Sequence, residues 1–173
     1  MKRKSFDKMQ CPIARSLERV GEWWTILILR DAMNGLRKFD DFQSNLGISP
    51  TILSKRLSSL VEDGFLERHR YGEHPARAEY HLTDRGWAFQ SVIASFVAFG
   101  NSQFAPEGLA TVVVNRETGQ SVNVKVVDER TGEPITSPKY YMAPGPVASK
   151  KMKAQLAAAP SNGRGMRGEG CGD

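Results

Sequence analysis

Thr51, Ser54, Lys55 and Ser58 place three hydroxyls and one ammonium on a stretch with no acid before Glu62. At helical spacing these four share one side, opposite an apolar stripe of Leu53, Leu57 and Leu60 with Ile52 and Val61 beside it. An ordinary solvated helix would mix acids into that side. A face without negative charge can enter a major groove about 12 Å wide, where hydroxyls and an ammonium meet base edges. The four are candidate base readers; the bland alternative is an amphipathic core helix whose polar side only meets water.

Cations gather nearby. Arg68, His69, Arg70, His74 and Arg77 crowd one short segment with only Glu67 and Glu73 among them. With Lys38 and Arg56, the arginines Arg68, Arg70 and Arg77 are candidate phosphate contacts, against the reading of a merely soluble hairpin. Cys11 stands just before Pro12, a residue suited to opening a helix. Amides at a helix start and Arg15 one turn on would favour a thiolate, which makes Cys11 a candidate redox sensor. The alternative is a small cysteine that packs the helix start. A thiol enzyme is poorly supported, since a nucleophile needs a base within reach and the three histidines, His69, His74 and His81, all belong to the hairpin.

The elements that must position these groups are legible in outline. Ser49 is a good N-cap, Pro50 a good first helical residue and Gly64 a good stop, so a helix is expected between them. Phe39, Phe42 and Leu46 make a shorter stripe upstream, and Gly47-Ile48 a tight corner. Two strands, 65–71 and 77–82, are expected around the turn-forming cluster Gly72-Glu73-His74-Pro75. Helix, corner, helix, hairpin is the order of a winged helix. A helix over 22–32, apolar nearly all round, should sit at the centre of the core. Trp23 and Trp24 diverge by about 100° on it and cannot both point inward. Thr83 should cap a long helix over 84–102 whose apolar residues cover too wide an arc for one buried face. Its second partner is expected to be another subunit, with Ile13, Leu17, Phe89, Val92, Ile93, Phe96 and Phe99 at a homodimer interface. The alternative is that the rest of the chain covers that face.

Beyond Pro106 the pattern turns to β over 111–114, 122–127 and around Ile135. Two turns there look alike, Asn115-Arg116-Glu117-Thr118-Gly119 and Asp128-Glu129-Arg130-Thr131-Gly132. From Ala143 on, Ala, Pro, Gly and Ser with scattered Lys and Arg read as a disordered basic tail. The expected organisation is 1–104 as the DNA-binding and dimerisation domain, 105–142 as a small β appendage and 143–173 as the tail. The net charge of +5 is uneven: 15 basic against 12 acidic residues, then 4 against 5, then 5 against 2. That balance permits nucleic-acid binding without demanding it. Two cysteines far apart argue against a disulfide framework, and no run approaches the roughly 20 apolar residues of a membrane span, so a cytoplasmic protein is expected.

A scattered set of residues carries a family resemblance: Cys11-Pro12, Val20-Gly21, Trp24-Thr25, Ile28-Leu29-Arg30, Phe39, Gly47-Ile48-Ser49, Leu53, Leu57, Leu60, Gly64, Arg68, Glu79-Tyr80, Leu82-Thr83 and Gly86. In order and spacing over about the first hundred residues, the chain resembles the HxlR-type transcriptional regulators, winged-helix relatives of the MarR group. The fold class so implied is α+β, mostly α: a winged helix-turn-helix domain, a long C-terminal dimerisation helix and a small β appendage. The resemblance implies a homodimer on double-stranded DNA, and a cysteine at the place of Cys11 serves some members as a sensor. Trp23 departs from the pattern, where many members carry Lys or Arg. The appendage resembles segments with zinc-knuckle turns, but no Cys or His occurs over 106–142, so no thiolate or imidazole can ligate a metal there. No cofactor is expected. A small-molecule effector has room between the long helices and the wing, with no polar constellation to identify it. Beside sequence-specific regulation, a winged-helix module that binds protein without specific DNA binding remains the alternative.

Overall fold

The computed structural model describes residues 5–6, 8–71, 77–136 and 139–157, which divide into two compact units, Met1–Val124 and Lys125–Asp173. The first holds helices α1 (Pro12–Val20), α2 (Trp23–Met33), α3 (Phe39–Leu46) and α4 (Pro50–Glu62), strands β1 (Leu66–Tyr71) and β2 (Arg77–Leu82), and helices α5 (Asp84–Ala88) and α6 (Gln90–Gln103). The second holds α7 (Lys150–Ala157).

Local chemistry bounds α4 at both ends. The Ser49 hydroxyl accepts the Ile52 amide at 3.4 Å, and Pro50 fills the first turn where no donor is needed. At the other end Gly64 takes φ +71°, the Phe65 amide reaches the Leu60 carbonyl at 2.9 Å and the Gly64 amide reaches Val61 at 3.0 Å. This is the Schellman pattern, which satisfies the last carbonyls and turns the chain straight into β1.

The core forms around α2. Ile28 and Leu29 from α2, Phe42 from α3, and Leu53, Leu57 and Leu60 from α4 are all sealed from solvent, with Ile48, Phe65, Leu66 and Tyr80 closing the cluster. Truncating any of these leucines to Ala would cost about 2–5 kcal/mol. Ile52, grouped with that stripe on spacing alone, is instead exposed on the flank of α4.

β1 and β2 pair antiparallel from Leu66↔Leu82 to Tyr71↔Arg77, and an isolated bridge between Lys38 and Glu79 adds a short third edge. The expected turn at residues 72–75 lies outside the described residues, and His74 with it.

The long helix expected over 84–102 is divided at Phe89. Its first piece is tied to the corner after α4: the Thr83 hydroxyl donates to the Gly64 carbonyl at 2.6 Å and accepts the Gly86 amide at 3.1 Å, and Arg85 donates to the Asp63 carbonyl at 2.6 Å. A Cβ on Gly86 would lie 2.3 Å from the Phe65 carbonyl oxygen, so only glycine allows this approach. α6 begins beyond those ties.

The β appendage is also simpler than expected. The runs over 111–114 and 122–127 form no ladder; isolated bridges, Val114↔Ser121 and Val127↔Pro134, each close one turn. In the first turn the Asn115 carboxamide oxygen accepts the Glu117 and Thr118 amides, and in the second the Asp128 carboxylate accepts the Arg130 amide. Thr118 and Thr131 each accept the amide two residues on, so the sequence repeat is a structural one. Arms this short offer too few paired residues to extend a sheet. The tail departs from expectation in the other direction: residues 150–157, rich in good helix formers, are α7, started by the Ser149 hydroxyl accepting the Met152 amide at 3.2 Å. Residues 158–173, with Cys171, lie outside the described residues.

Candidate nucleic-acid interface

Because Leu53, Leu57 and Leu60 are drawn into the core, α4 turns Thr51, Ser54, Lys55 and Ser58 outward, and all four are exposed. Ile52 joins them at one margin. Sequence reasoning missed it as a surface group because its spacing fits the apolar stripe; there it offers a methyl-bearing contact of the kind thymine accepts.

The wing cations do not form one edge. Strand alternation and the observed register place Arg68 and Arg70 on one face with Tyr80 and Ala78, while Arg77 shares the other with Glu67, His69, Glu79 and His81. On that second face His69 pairs with Glu67 at 3.0 Å, and His81 donates to Glu79 at 3.2 Å. Arg37 donates to the free ring nitrogen of His81 at 3.1 Å, and the two imidazoles lie 4.7 Å apart. Glu67 and Glu79 thus dilute the positive charge beside Arg77. The unmixed cationic face is the one with Arg68 and Arg70.

Lys38 is exposed just ahead of α3, and its backbone bridge to Glu79 sets it between the helix pair and the wing. Arg56, expected among the phosphate contacts, turns toward the start of α2. Its guanidinium meets Glu22 at 3.0 Å, its side chain is 20% exposed, and its Nε is shut from solvent without a hydrogen-bond partner among the described residues. Trp23 is 73% exposed while Trp24 packs against the core, which resolves which of the two faces out.

Cys11 is a half-buried cysteine at the N-cap of α1 and joins no disulfide among the described residues. Arg15, expected to stand by the thiol, donates its Nε to the Met9 carbonyl at 2.7 Å. Past Cys11, α1 leaves Ile13 and Leu17 exposed, and α6 leaves Val92, Phe96 and Phe99 exposed, with Ile93 half-buried. Phe89, expected with them, packs edge-on against Phe65 at 6.2 Å within its own core. An open apolar groove does occur, but in the second unit, along Val126, Pro134 and Ile135.

A helix-turn-helix with a two-stranded wing and an acid-poor outward face defines a nucleic-acid-binding scaffold. Comparison with known proteins agrees. The HxlR-like helix-turn-helix family profile matches residues 19–108. The uncharacterised HTH-type transcriptional regulator Rv3095 of Mycobacterium tuberculosis is 36% identical over 148 residues, 85% of this chain and 91% of that protein. A structure assigned as a transcription factor, PA1374 of Pseudomonas aeruginosa, is 44% identical with a TM-score of 0.60, covering 84% of this chain and 100% of that one. The redox regulator HypR in its reduced form is 25% identical with a TM-score of 0.50, covering 53% of this chain and 92% of that one. The chain belongs to the HxlR-like helix-turn-helix family of transcriptional regulators. It is a DNA-binding transcriptional regulator. Among the described residues no helix is long and apolar enough to cross a membrane.

Proposed function

We propose that this regulator binds an inverted-repeat operator as a homodimer, with α4 of each subunit in successive major grooves. The observation that carries the reading is the exposed, acid-poor face of α4, in a unit that also exposes Lys38 and a wing face bearing Arg68 and Arg70. Thr51, Ser54, Lys55 and Ser58 read bases, while Lys38, Arg68 and Arg70 hold phosphates. The apolar residues exposed on α1 and α6 support a second copy as partner. Two-fold symmetry then demands matched half-sites with centres about 34–36 Å apart, or a multiple of that. Selection of bound duplexes from a random pool tests this: an inverted repeat with that spacing is expected. Binding that ignores sequence, or that does not weaken with added salt, would overturn it and favour a protein partner.

Cys11 adds a regulatory element to this reading. It sits at the start of the helix that carries Ile13 and Leu17, so a bulky or oxidised sulfur there acts on the same surface that meets the second subunit. The likeness to HypR, a redox regulator, supports oxidation as the signal.

A further inference from the structure

We infer that Arg56 is a positioning residue, which sets the rotation of α4 through Glu22 and so tunes which base pairs the helix reads. The inference rests on the DNA-reading role proposed for α4.

Arg56 neighbours Ile52, Leu53, Ser59 and Leu60 on the helix surface, at the boundary between outward face and core. A guanidinium free to meet phosphate would extend into water. This one turns back: Nη2 meets the Glu22 carboxylate at 3.0 Å, and only 20% of the side chain is exposed. Among the described residues its buried Nε has no hydrogen-bond partner, a cost that packing around the guanidinium must offset. Glu22 is the N-cap of α2, yet its carboxylate makes no capping bond to α2 and reaches α4 instead. The pair therefore joins the flank of the reading helix to the start of the central core helix.

The far end of α4 is held by other elements. Arg19 at the end of α1 stands 3.8 Å from the Asp63 carboxylate, and Arg85 of α5 donates to the Asp63 carbonyl at 2.6 Å. With the Leu53, Leu57 and Leu60 knobs seated in the core, such flanking ties determine how α4 is turned about its own axis. Recognition tolerates little error there, about 10–20° and 0.5 Å. Adjacent cations thus have divided roles: Lys55 points to the groove, and Arg56 fixes where Lys55 points.

The test compares wild type, Arg56→Gln, Glu22→Ala and the exchanged pair Glu22→Arg/Arg56→Glu, each bound to the selected operator and to random duplex over a range of salt. Arg56→Gln and Glu22→Ala should each lower the ratio of operator to random affinity, by about tenfold. Random-duplex affinity and the salt slope should stay as in wild type, and the exchanged pair should recover much of the ratio. A merely structural loss would lower the folded fraction and weaken both duplexes alike, leaving the ratio unmoved. A salt slope reduced by about one unit with an unchanged ratio would make Arg56 a phosphate contact and overturn the inference. An intact ratio in Glu22→Ala would overturn it as well. Wild-type protein with no preference for any duplex would instead sink the DNA-reading proposal itself, and this one with it.

Discussion

Asn45 on α3 donates its side-chain amide to Asp31 on α2 across 2.7 Å, joining the helix pair to a carboxylate only 2% exposed. Arg30 holds the other carboxylate oxygen, with Nε at 2.9 Å and Nη2 at 2.8 Å. A buried charge is tolerated only when so satisfied. Asn45→Ala should leave one oxygen short of its donor and lower stability by about 1–3 kcal/mol. The denaturant midpoint should fall with an unchanged slope. No change in midpoint would mean that water or a neighbour replaces Asn45.

Base readers and phosphate contacts should respond differently to truncation. Lys55→Ala is expected to cost about 1–3 kcal/mol on the preferred operator and to relax preference at one base pair, with little change on random duplex. Arg70→Ala should weaken every duplex and flatten the salt slope by about one unit. Competition between matched and mismatched operators separates the two. Equal losses from both variants on all duplexes would show that α4 is not the reader.

Phe96 and Phe99, 52% and 57% exposed, should behave unlike Phe89. Phe96→Asp places a charge in the proposed subunit contact and should shift sedimentation from dimer to monomer, by at least about tenfold in dissociation constant. The fold should survive. Phe89→Asp should unfold the chain, because Phe89 lies against Phe65 in the core. A Phe96→Asp protein that still sediments as the wild-type dimer would move the interface elsewhere.

Peroxide or an electrophile should modify Cys11 before Cys171 at neutral pH and weaken operator binding. Mass-resolved alkylation gives the two rates. Cys11→Ser should bind the operator as wild type does and no longer respond. If the substitution unfolds the protein, Cys11 serves packing alone.

Purified protein should carry no stoichiometric zinc, since the two appendage turns use Thr118 and Thr131 hydroxyls to accept the Gln120 and Glu133 amides. Elemental analysis checks this, and one zinc per chain would contradict it.

Much of the fold followed from short-range chemistry. Ser49, Pro50 and Gly64 bound α4 through hydrogen bonds spanning three to five residues, and the leucines between them make a stripe whatever lies outside. Such signals survive in a linear text because both partners sit within a turn of each other. The candidate site was legible only as exposure that follows from helix phase, as it does for Thr51, Lys55 and Ser58. Tertiary structure decided the rest. Arg56 and Lys55 are neighbours of like charge, and only Glu22, 34 positions away, draws one of them aside. Arg70 and Arg77 looked equivalent until the strand register put them on opposite faces. Phe89 and Phe96 share a helical run, but the ties from Thr83 and Arg85 to the corner after α4 turn the first inward and leave the second exposed. Long side chains choose partners by distance in space, and sequence spacing reports that distance only within one element.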